Sequence, residues 1–494
     1  MSQSDPSGLE KTIDSFWYEN ALPVFKEFVT IPCISPSYDP DWKKKGALRQ
    51  ARELAEKWIK SLTPLAAEIH VGLTETDDGE VPPILLVHVP ANPPDTPGNV
   101  LTYGHFDKQT VEGEDWTQPP NATDKGPFVP NVYQDHLYGR GTSDDGFATF
   151  TVITALWAMN QCGLAYPQVN VIIDFDEESG SANLRPSLLH FKDVIGEPDL
   201  CIELDSSIGT YEQLWYGSTA RGTITGTLSV TMLSTAVHSG DGGGIIPNPV
   251  NLVRLLLDRI QDPSTGEVVV PEFQVPVPAG NLADVQAQAA NLGAHLVGDF
   301  PWVGNAYPYL QDPVQLVLNK TWRAALAITG QHGLPSLATA SNVIVPEIEY
   351  QLSIRLPPTV DVHAAQLVLK GTLEADPPYG ATVRYTFRGD PIGAGWVTPP
   401  RASWFLRAIA ATSREVFGRD PSPFGDGGTI PVLNLMTELY ANREESTGAQ
   451  ILATGAAGPG NNEHGANENL DMGYARKLAL SLARLIEATS AVQG

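Results

Sequence analysis

The N-terminal part of the chain alternates short apolar runs with longer segments of helical spacing. The apolar runs are rich in β-branched residues, as buried strands are. They lie at residues 84–89, 100–103, 169–175 and 200–204, and the helical patterns lie around residues 54–62 and at 147–159. Buried strands that alternate with helices are typical of a parallel-type sheet flanked by helices. The pattern therefore predicts an α/β domain.

The pattern changes near residue 215. Beyond this point apolar and polar positions alternate one by one, which predicts strands with one face in water. These segments are residues 222–232, 348–356 and 381–388, with a helical segment at 250–260. Helical spacing returns at residues 404–416 and 474–488. We therefore predict an α+β domain at residues 215–399, inserted into a first domain whose two parts are residues 1–214 and 400–494.

Composition narrows the class of protein. The chain has 494 residues, more than one hydrophobic core usually supports, which agrees with two domains. Its formal net charge of −26 would repel phosphate, and this argues against nucleic acid and against an anionic membrane surface as partners. No apolar stretch is long enough to span a bilayer, and the polar start has no signal-peptide pattern. With only three widely spaced cysteines, we expect a cytoplasmic protein without a disulfide framework.

Histidine and carboxylate side chains follow several of the predicted strands. Each of these candidates comes at or just after the carboxyl end of a strand: His105 and Asp107, Glu177 and Glu178, and Asp205. Functional sites in parallel α/β sheets gather at these strand ends. Asp107 could orient the imidazole of His105 as a second-shell carboxylate. Because adjacent glutamates point differently, one of Glu177 and Glu178 can bind a metal while the other acts as a base.

Two loops add further candidates. Asp144 and Asp145 follow a glycine-rich turn and precede a helical segment, and one of them could bridge two cations. His464 lies in a polar loop before the last helical segment. Each motif alone has an ordinary structural explanation, such as a helix cap or a surface pair. Together, two histidines and three carboxylates are the set that a dinuclear zinc-type site needs.

With these residues in place, the chain resembles the dinuclear zinc metallopeptidases that include carnosinases, nonspecific dipeptidases, carboxypeptidase G, aminoacylases and acetylornithine deacetylase. The motifs Gly-His-x-Asp, Tyr-Gly-Arg-Gly-x-x-Asp-Asp, Glu-Glu-Ser-Gly-Ser, Val-His-Ser-Gly and Gly-Gly-Thr-Ile-Pro occur in the family's order. The inserted domain, with Lys320-Thr-Trp-Arg and Ser353-Ile-Arg-Leu-Pro, looks most like the carnosinase and dipeptidase branch. The resemblance implies an α/β catalytic domain with an inserted lid or dimerisation domain, and a homodimer.

The resemblance also implies a role for each candidate of the first domain. The metal ligands would be His105 and Asp205 for one ion, Glu178 and His464 for the other, and Asp144 as the bridge. Asp107 would orient His105, and Glu177 would be the general base.

In the inserted domain, the resemblance implies contacts with the substrate. His238 would contact the reacting carbonyl oxygen, and in carnosinase-like relatives the equivalent histidine reaches the partner's site. Arg355, together with Thr429 of the Gly427-Gly428-Thr429 loop, would bind the substrate's free carboxylate.

The predicted reaction is hydrolysis of an amide bond in dipeptides or small peptide-like substrates with a free carboxylate. Two divalent ions would activate a shared water, and Glu177 would take its proton. Zinc is the expected ion, with manganese or cobalt able to substitute. The alternative is an aminoacylase-like amidohydrolase that acts on N-acyl or N-carbamoyl amino acids. A catalytically dead binding protein should have lost a ligand or the base, and none is lost in this sequence.

The sequence departs from the family's pattern in places that put the choice of substrate in question. Lys108 and Gln109 follow the His-x-Asp motif, where a small apolar residue is common. Gly146 and Phe147 follow the paired aspartates, where Lys-Gly is frequent.

Overall fold

The computed structural model describes residues 6–73, 75–76, 79–111, 113, 115–388, 393–441 and 448–491. The polar start of the chain, residues 1–5, lies outside them. Within the described residues, no helix has the length and apolar character needed to cross a membrane. The chain forms two compact units: the first is Met1–Gly217, Thr398–Phe424 and Leu435–Gly494, and the second is Ser218–Val397 and Gly425–Asn434.

The first unit begins with alternating helices and strands. Its helices are α1 (Pro6–Phe16), α2 (Leu22–Thr30), α3 (Trp42–Lys45), α4 (Ala47–Ser61), α5 (Phe147–Gln161), α6 (Leu184–His190) and α7 (Lys192–Ile195). Its strands are β1 (Glu68–Val71), β2 (Glu75–Thr76), β3 (Gly79–Glu80), β4 (Leu85–Val89), β5 (Asn99–His105), β6 (Asn131–Tyr133), β7 (His136–Tyr138), β8 (Gln168–Asp174) and β9 (Leu200–Glu203).

The second unit is reached through β10 (Trp215–Ala220). Its strands are β11 (Gly222–Thr231), β12 (Val237–His238), β13 (Ala325–His332), β14 (Val343–Ile344), β15 (Glu347–Leu356), β16 (Thr382–Phe387) and β17 (Trp396–Val397). Its helices are α8 (Ser239–Gly242), α9 (Pro249–Leu257), α10 (Ala279–Leu292), α11 (His295–Gly298), α12 (Pro313–Thr321) and α13 (Val362–Glu374).

The rest of the chain lies mostly in the first unit, and residues 425–434 belong to the second. Its elements are α14 (Ser403–Phe417), β18 (Ser422–Asp426), which ends in the second unit, α15 (Pro431–Met436), which begins there, β19 (Gln450–Ala453), β20 (Asn469–Asp471) and α16 (Met472–Thr489).

The central sheet of the first unit runs in the order β1-β4-β8-β5-β9-β19. Strands β8, β5, β9 and β19 pair in parallel, whereas β4 and β1 extend the sheet in antiparallel fashion. Helix α5 is buried over almost its whole length and packs against α16 and the sheet. The predicted α/β fold with a parallel-type sheet is therefore confirmed, and the antiparallel edge is a feature that the sequence did not predict.

The second unit is built on an antiparallel sheet in the order β13-β15-β11-β16. Along β11, buried and partly exposed residues alternate without interruption, as the sequence predicted for a strand with one wet face. The buried face, with Ile224, Leu228 and Val230, forms a core with helices α9 and α13. The roles of this unit as a lid and in dimerisation stay predictions.

Candidate metal centre

His105 is the last residue of β5, and its side chain is fully buried. Phe106 anchors the chain beside it by packing on Phe28, with ring centroids 4.3 Å apart. The Nδ1–H of His105 donates to the backbone oxygen of Asp107 at 3.0 Å. A carbonyl can only accept, so this bond leaves the Nε2 lone pair of a neutral imidazole free for a metal.

Asp144 faces two histidines with its two carboxylate oxygens. It lies in a turn at Thr142–Gly146, where its backbone is extended rather than helical, at φ −131° and ψ 91°. Oδ1 lies 3.0 Å from Nε2 of His105, and Oδ2 lies 2.8 Å from Nε2 of His464. This is the arrangement that a bridging carboxylate requires.

His464 adopts a backbone conformation that is uncommon for a residue with a side chain. Its φ is +56°, in the left-handed region, and such positions are enriched at functional sites. Its Nε2 lies 3.4 Å from Oε2 of Glu178, in addition to its contact with Asp144. Asp144, Glu178 and His464 form one group of candidate ligands, with ligand atoms within 4.8 Å of one another.

A second group of candidate ligands, within the same 4.8 Å limit, joins His105 and Asp205 to Asp145. Nε2 of His105 lies 3.6 Å from Oδ1 of Asp205. The sequence made Asp145 an alternative to Asp144 as a bridging carboxylate, but the family resemblance assigned that role to Asp144 alone. Oδ2 of Asp145 accepts from the backbone N–H of His105 at 3.2 Å, and its buried Oδ1 finds no hydrogen-bond partner within the described part of the chain.

The surroundings of most carboxyl groups of the site raise their pKa values. Burial, and then the charge of Asp144, raise the pKa of Glu178 to about 8. Burial, and then the charge of Asp205, raise the pKa values of Asp145 and Glu177 well above the usual range. The charged forms therefore lack compensating positive charge, which a bound divalent ion would supply.

Asp144 differs from its neighbours. Burial favours its neutral form, but the contacts with His105 and then His464 outweigh burial and hold its pKa below the usual range. Asp144 is thus the carboxylate of the group that both histidines stabilise in the charged form.

Asp107 holds the backbone of the two glutamates. Its Oδ1 and Oδ2 accept from the N–H groups of Glu177 and Glu178, each at 3.0 Å, while Oδ1 lies 3.4 Å from Nδ1 of His105. Gln109, which the sequence did not single out as a site residue, donates from Nε2 to Oε2 of Glu178 at 2.9 Å. One short segment after β5 therefore fixes both the backbone and the side-chain orientation of Glu178.

Lys108 is part of the core rather than of a substrate-facing surface. Its side chain is fully buried, and Nζ donates to the backbone oxygens of Phe28, Val29 and Ile31 at 3.0, 3.2 and 2.8 Å. These carbonyls lie at the C-terminal end of α2, where a positive charge is favourable. The lysine that departs from the family's pattern therefore supports the end of a helix.

In the second unit, the structure brings Arg355 and Thr429 together. The Arg355 guanidinium donates to Oγ1 of Thr429 at 3.1 Å, and this hydroxyl donates to the backbone oxygen of Arg221 at 2.6 Å. The sequence missed Arg221, which is buried and binds the backbone oxygen of Gly427 through Nε at 3.1 Å. His238 lies on β12 of the same unit and is exposed to solvent.

The fold and the clustered histidines and carboxylates indicate a metal-dependent hydrolase, and comparison with known proteins identifies the class. Residues 101–488 match Peptidase family M20/M25/M40. The chain therefore belongs to this family and is a metallopeptidase, which confirms the family predicted from the motifs.

Relatives place the chain near dipeptidases. The human Beta-Ala-His dipeptidase is 26% identical over 483 residues, which cover 94% of this chain and 90% of that protein. The crystal structure of human carnosine dipeptidase 1 shares the fold at a TM-score of 0.75 and 20% identity, covering 99% of both chains. The structure of the di-peptidase Dug1p from Saccharomyces cerevisiae has a TM-score of 0.78 and 20% identity, covering 100% of both chains.

Proposed function

We propose that this metallopeptidase is a dinuclear dipeptidase, which hydrolyses the amide bond of dipeptides or small peptide-like substrates with a free carboxylate. The observation that carries the proposal is Asp144, whose two carboxylate oxygens face His105 and His464 at 3.0 and 2.8 Å. One carboxylate between two histidines, each with further acids beside it, is suited to two cations about 3.5–4 Å apart. The substrate class follows the human relative, whose name is Beta-Ala-His dipeptidase.

The residues of the site fit two divalent ions. In this proposal His105 and Asp205 would hold one ion, Glu178 and His464 would hold the other, and Asp144 would be the ligand shared by both. Imidazole nitrogen and carboxylate oxygen are ligands that zinc takes in catalytic sites, and manganese and cobalt accept the same atoms. Oε1 of Glu178 supports the fit, because it is buried and no hydrogen-bond partner is described for it.

The residues around the ligands account for the proton transfers. Bound divalent ions would lower the pKa of water towards about 7 and polarise the scissile carbonyl. The Glu177 carboxylate takes a proton from the attacking water and delivers it to the leaving amine nitrogen, so that one water is consumed and an acid and an amine are released. Asp107 keeps Glu177 in place through the N–H bond of 3.0 Å. A positioned base of this kind contributes about 10²–10⁴-fold to the rate.

Arg355 and Thr429 form the proposed carboxylate clamp. A guanidinium can bind a carboxylate through two parallel hydrogen bonds, and the Thr429 hydroxyl beside it at 3.1 Å can add a further contact. Because metal ions polarise any amide carbonyl alike, such a clamp would select substrates that end in a free carboxylate.

We further propose a homodimer in which His238 of each chain acts at the partner's site. The second unit exposes large hydrophobic side chains, as interaction surfaces do. Those more than half exposed include Ile245, Phe300, Val303, Tyr307, Tyr309 and Leu337. An exposed His238 is available to a second chain.

The cellular location that we propose is a reducing one, the cytoplasm. Cys33, Cys162 and Cys201 are not joined in disulfides within the described residues, and two of them are buried. Free thiols are usual where disulfides do not persist.

A substrate panel tests the proposal. The metal-loaded protein should hydrolyse dipeptides with a free C-terminus faster than the same dipeptides with an amidated C-terminus. Faster hydrolysis of N-acyl or N-carbamoyl amino acids would favour the aminoacylase-like reaction instead. If no amide is hydrolysed in the presence of zinc, manganese or cobalt, the proposed enzymatic function is wrong.

A further inference from the structure

We infer that Glu468 is a positioning residue for the metal centre: its buried carboxylate holds the loop that carries Asp144 in the bridging position. The inference rests on the proposed function, because it concerns the ligand that would bridge the two ions. Among the described residues, Glu468 belongs to neither group of candidate ligands, and it acts through the backbone of its neighbours.

The carboxylate of Glu468 accepts hydrogen bonds from several donors of one glycine-rich turn. Oε2 accepts from the Arg140 guanidinium at 2.9 Å and from the N–H of Gly141 at 3.1 Å. Oε1 accepts from the N–H groups of Ser143 and Asp144 at 3.0 and 3.3 Å, and from the Ser143 hydroxyl at 3.4 Å. Glu468 is fully buried and Arg140 is 1% exposed, so water does not compete for these bonds.

The turn needs such an acceptor because it cannot satisfy its own donors. Asp144 is not helical, and Gly141 has a φ of +80°, so the N–H groups between them converge on one point instead of joining a ladder. Successive N–H groups that converge in this way bind an anion. Here the anion is supplied by a side chain of the same protein.

Glu468 also couples the turn to the second histidine. It follows His464 by four positions in the same loop, and its backbone oxygen accepts from the N–H of Gly139 at 3.0 Å. Asn469 closes this loop by donating from Nδ2 to the backbone oxygens of Gly460 and Asn467 at 2.8 and 3.1 Å. The carboxylate thereby fixes Asp144 relative to His464, the pair whose ligand atoms lie 2.8 Å apart.

Neither close substitute reproduces the acceptor. In Glu468→Gln, one oxygen becomes an amino group, so that a donor faces the N–H donors of the turn. In Glu468→Asp, the side chain is one methylene shorter and the carboxylate cannot reach both edges of the turn. Both variants keep every proposed ligand and the base.

The test measures metal affinity, by competition with a chromophoric chelator, together with kcat and KM. Loss of a group that orients a ligand typically lowers metal affinity or activity by about 10–100-fold. We expect Glu468→Gln to lose metal affinity by about this factor, to change the absorption spectrum of the cobalt-loaded protein, and to lower kcat with little change in KM. Glu468→Asp should lie between Glu468→Gln and the parent. A folded Glu468→Gln with the parent's metal affinity, spectrum and kcat would overturn the inference.

Glu374→Gln is the matched control. Glu374, in the second unit, also accepts a backbone N–H, that of Tyr385 at 2.7 Å, and pairs with Lys370. The Glu374→Gln variant tests whether metal affinity falls whenever a carboxylate that accepts a backbone N–H is removed, wherever that carboxylate lies. We expect unchanged metal affinity and kcat in this control, and an equal loss in both variants would count against a specific role of Glu468.

A measurement on the parent protein covers the case in which both Glu468 variants fail to fold. If Glu468 holds the turn by itself, the N–H groups of Gly141, Ser143 and Asp144 should be protected from hydrogen exchange after the metal has been removed. Rapid exchange of these amides in the metal-free parent would refute the inference. Because exchange needs no substrate, a protein that binds metal but cleaves no dipeptide would end the proposed function and leave this inference standing.

Discussion

The adjacent glutamates Glu177 and Glu178 offer a sharp test of the site, because the same substitution should have different effects at neighbouring positions. Glu177→Gln removes the proposed base, and Glu178→Gln removes a proposed ligand. Glutamine has nearly the volume of glutamate in both cases. Asp107 holds the backbone N–H of each glutamate at 3.0 Å, so neither change should move the other residue.

The expected magnitudes follow from the contacts. A general base contributes about 10²–10⁴-fold, which is about 3–5 kcal/mol of activation free energy, so Glu177→Gln should lower kcat by that factor and keep its metal. Glu178 accepts from Gln109 at 2.9 Å through Oε2, whose distance from His464 is 3.4 Å. A glutamine can keep the bond to Gln109 through its oxygen, but it offers no negative charge to an ion. We expect Glu178→Gln to lose more affinity than the 10–100-fold typical of an outer-shell group.

The assay combines elemental analysis of metal per chain after dialysis with steady-state kinetics on one dipeptide. Circular dichroism should show the parent's fold for both variants. The assignment is wrong if Glu177→Gln loses metal while Glu178→Gln keeps it. It is also wrong if Glu177→Gln keeps the parent's kcat.

Three further predictions concern the metal, the dimer and the clamp. Dialysis against a chelator should abolish hydrolysis, and added zinc, manganese or cobalt should restore it; full activity in metal-free protein would contradict the mechanism. Mixing inactive His238→Ala with inactive Glu177→Gln should restore part of the activity, since one site of each mixed dimer keeps both residues, and verified mixed dimers that stay inactive would exclude action in trans. Arg355→Lys should raise KM strongly for free dipeptides because lysine cannot form the paired bonds of a guanidinium, whereas equal kcat/KM of the parent on acid and amidated dipeptides would argue against the clamp.

The strand ends were the most predictable part of the molecule. Strands β5, β8 and β9 were predicted from apolar runs alone, because a buried strand needs apolar residues along its length. The structure has a strand at each of these runs. Because parallel strands end at one edge of a sheet, the histidine and carboxylates that follow them come together without any further information. The proposed roles of these residues as ligands and base stay predictions.

The supporting contacts were less predictable, because they depend on residues distant in sequence. Glu468 lies 324 positions after Asp144, and no local pattern relates the two. Lys108 departs from the family's pattern in a way that put the choice of substrate in question, and only the fold reveals that its ammonium group binds the end of α2. The antiparallel direction of β4 could not be predicted either, because a buried strand has the same apolar pattern in either direction.

Helix α13 was not predicted, although its sequence carries a local signal. Asp361 caps it by accepting from the N–H groups of His363 and Ala364, and its buried positions repeat at helical spacing. At the end of α9 the prediction was too long: the helix predicted for residues 250–260 ends at Leu257 in the structure. The following residues turn instead, with the N–H of Ile260 bonded to the oxygen of Leu257.

The order in which the chain is made has a consequence for the first unit. Strand β19, which completes the parallel part of the sheet beside β9, and the loop with His464 and Glu468 leave the ribosome long after His105 and Asp144. A nascent chain that has already exposed His105 and Asp144 therefore still lacks one histidine and the carboxylate that braces the turn. Contacts across such long separations in sequence form late, since loop closure precedes any gain from them. Hydrolytic activity should consequently begin only after His464 and Glu468 have been made, and shorter nascent chains should have no competent site with which to cleave peptides.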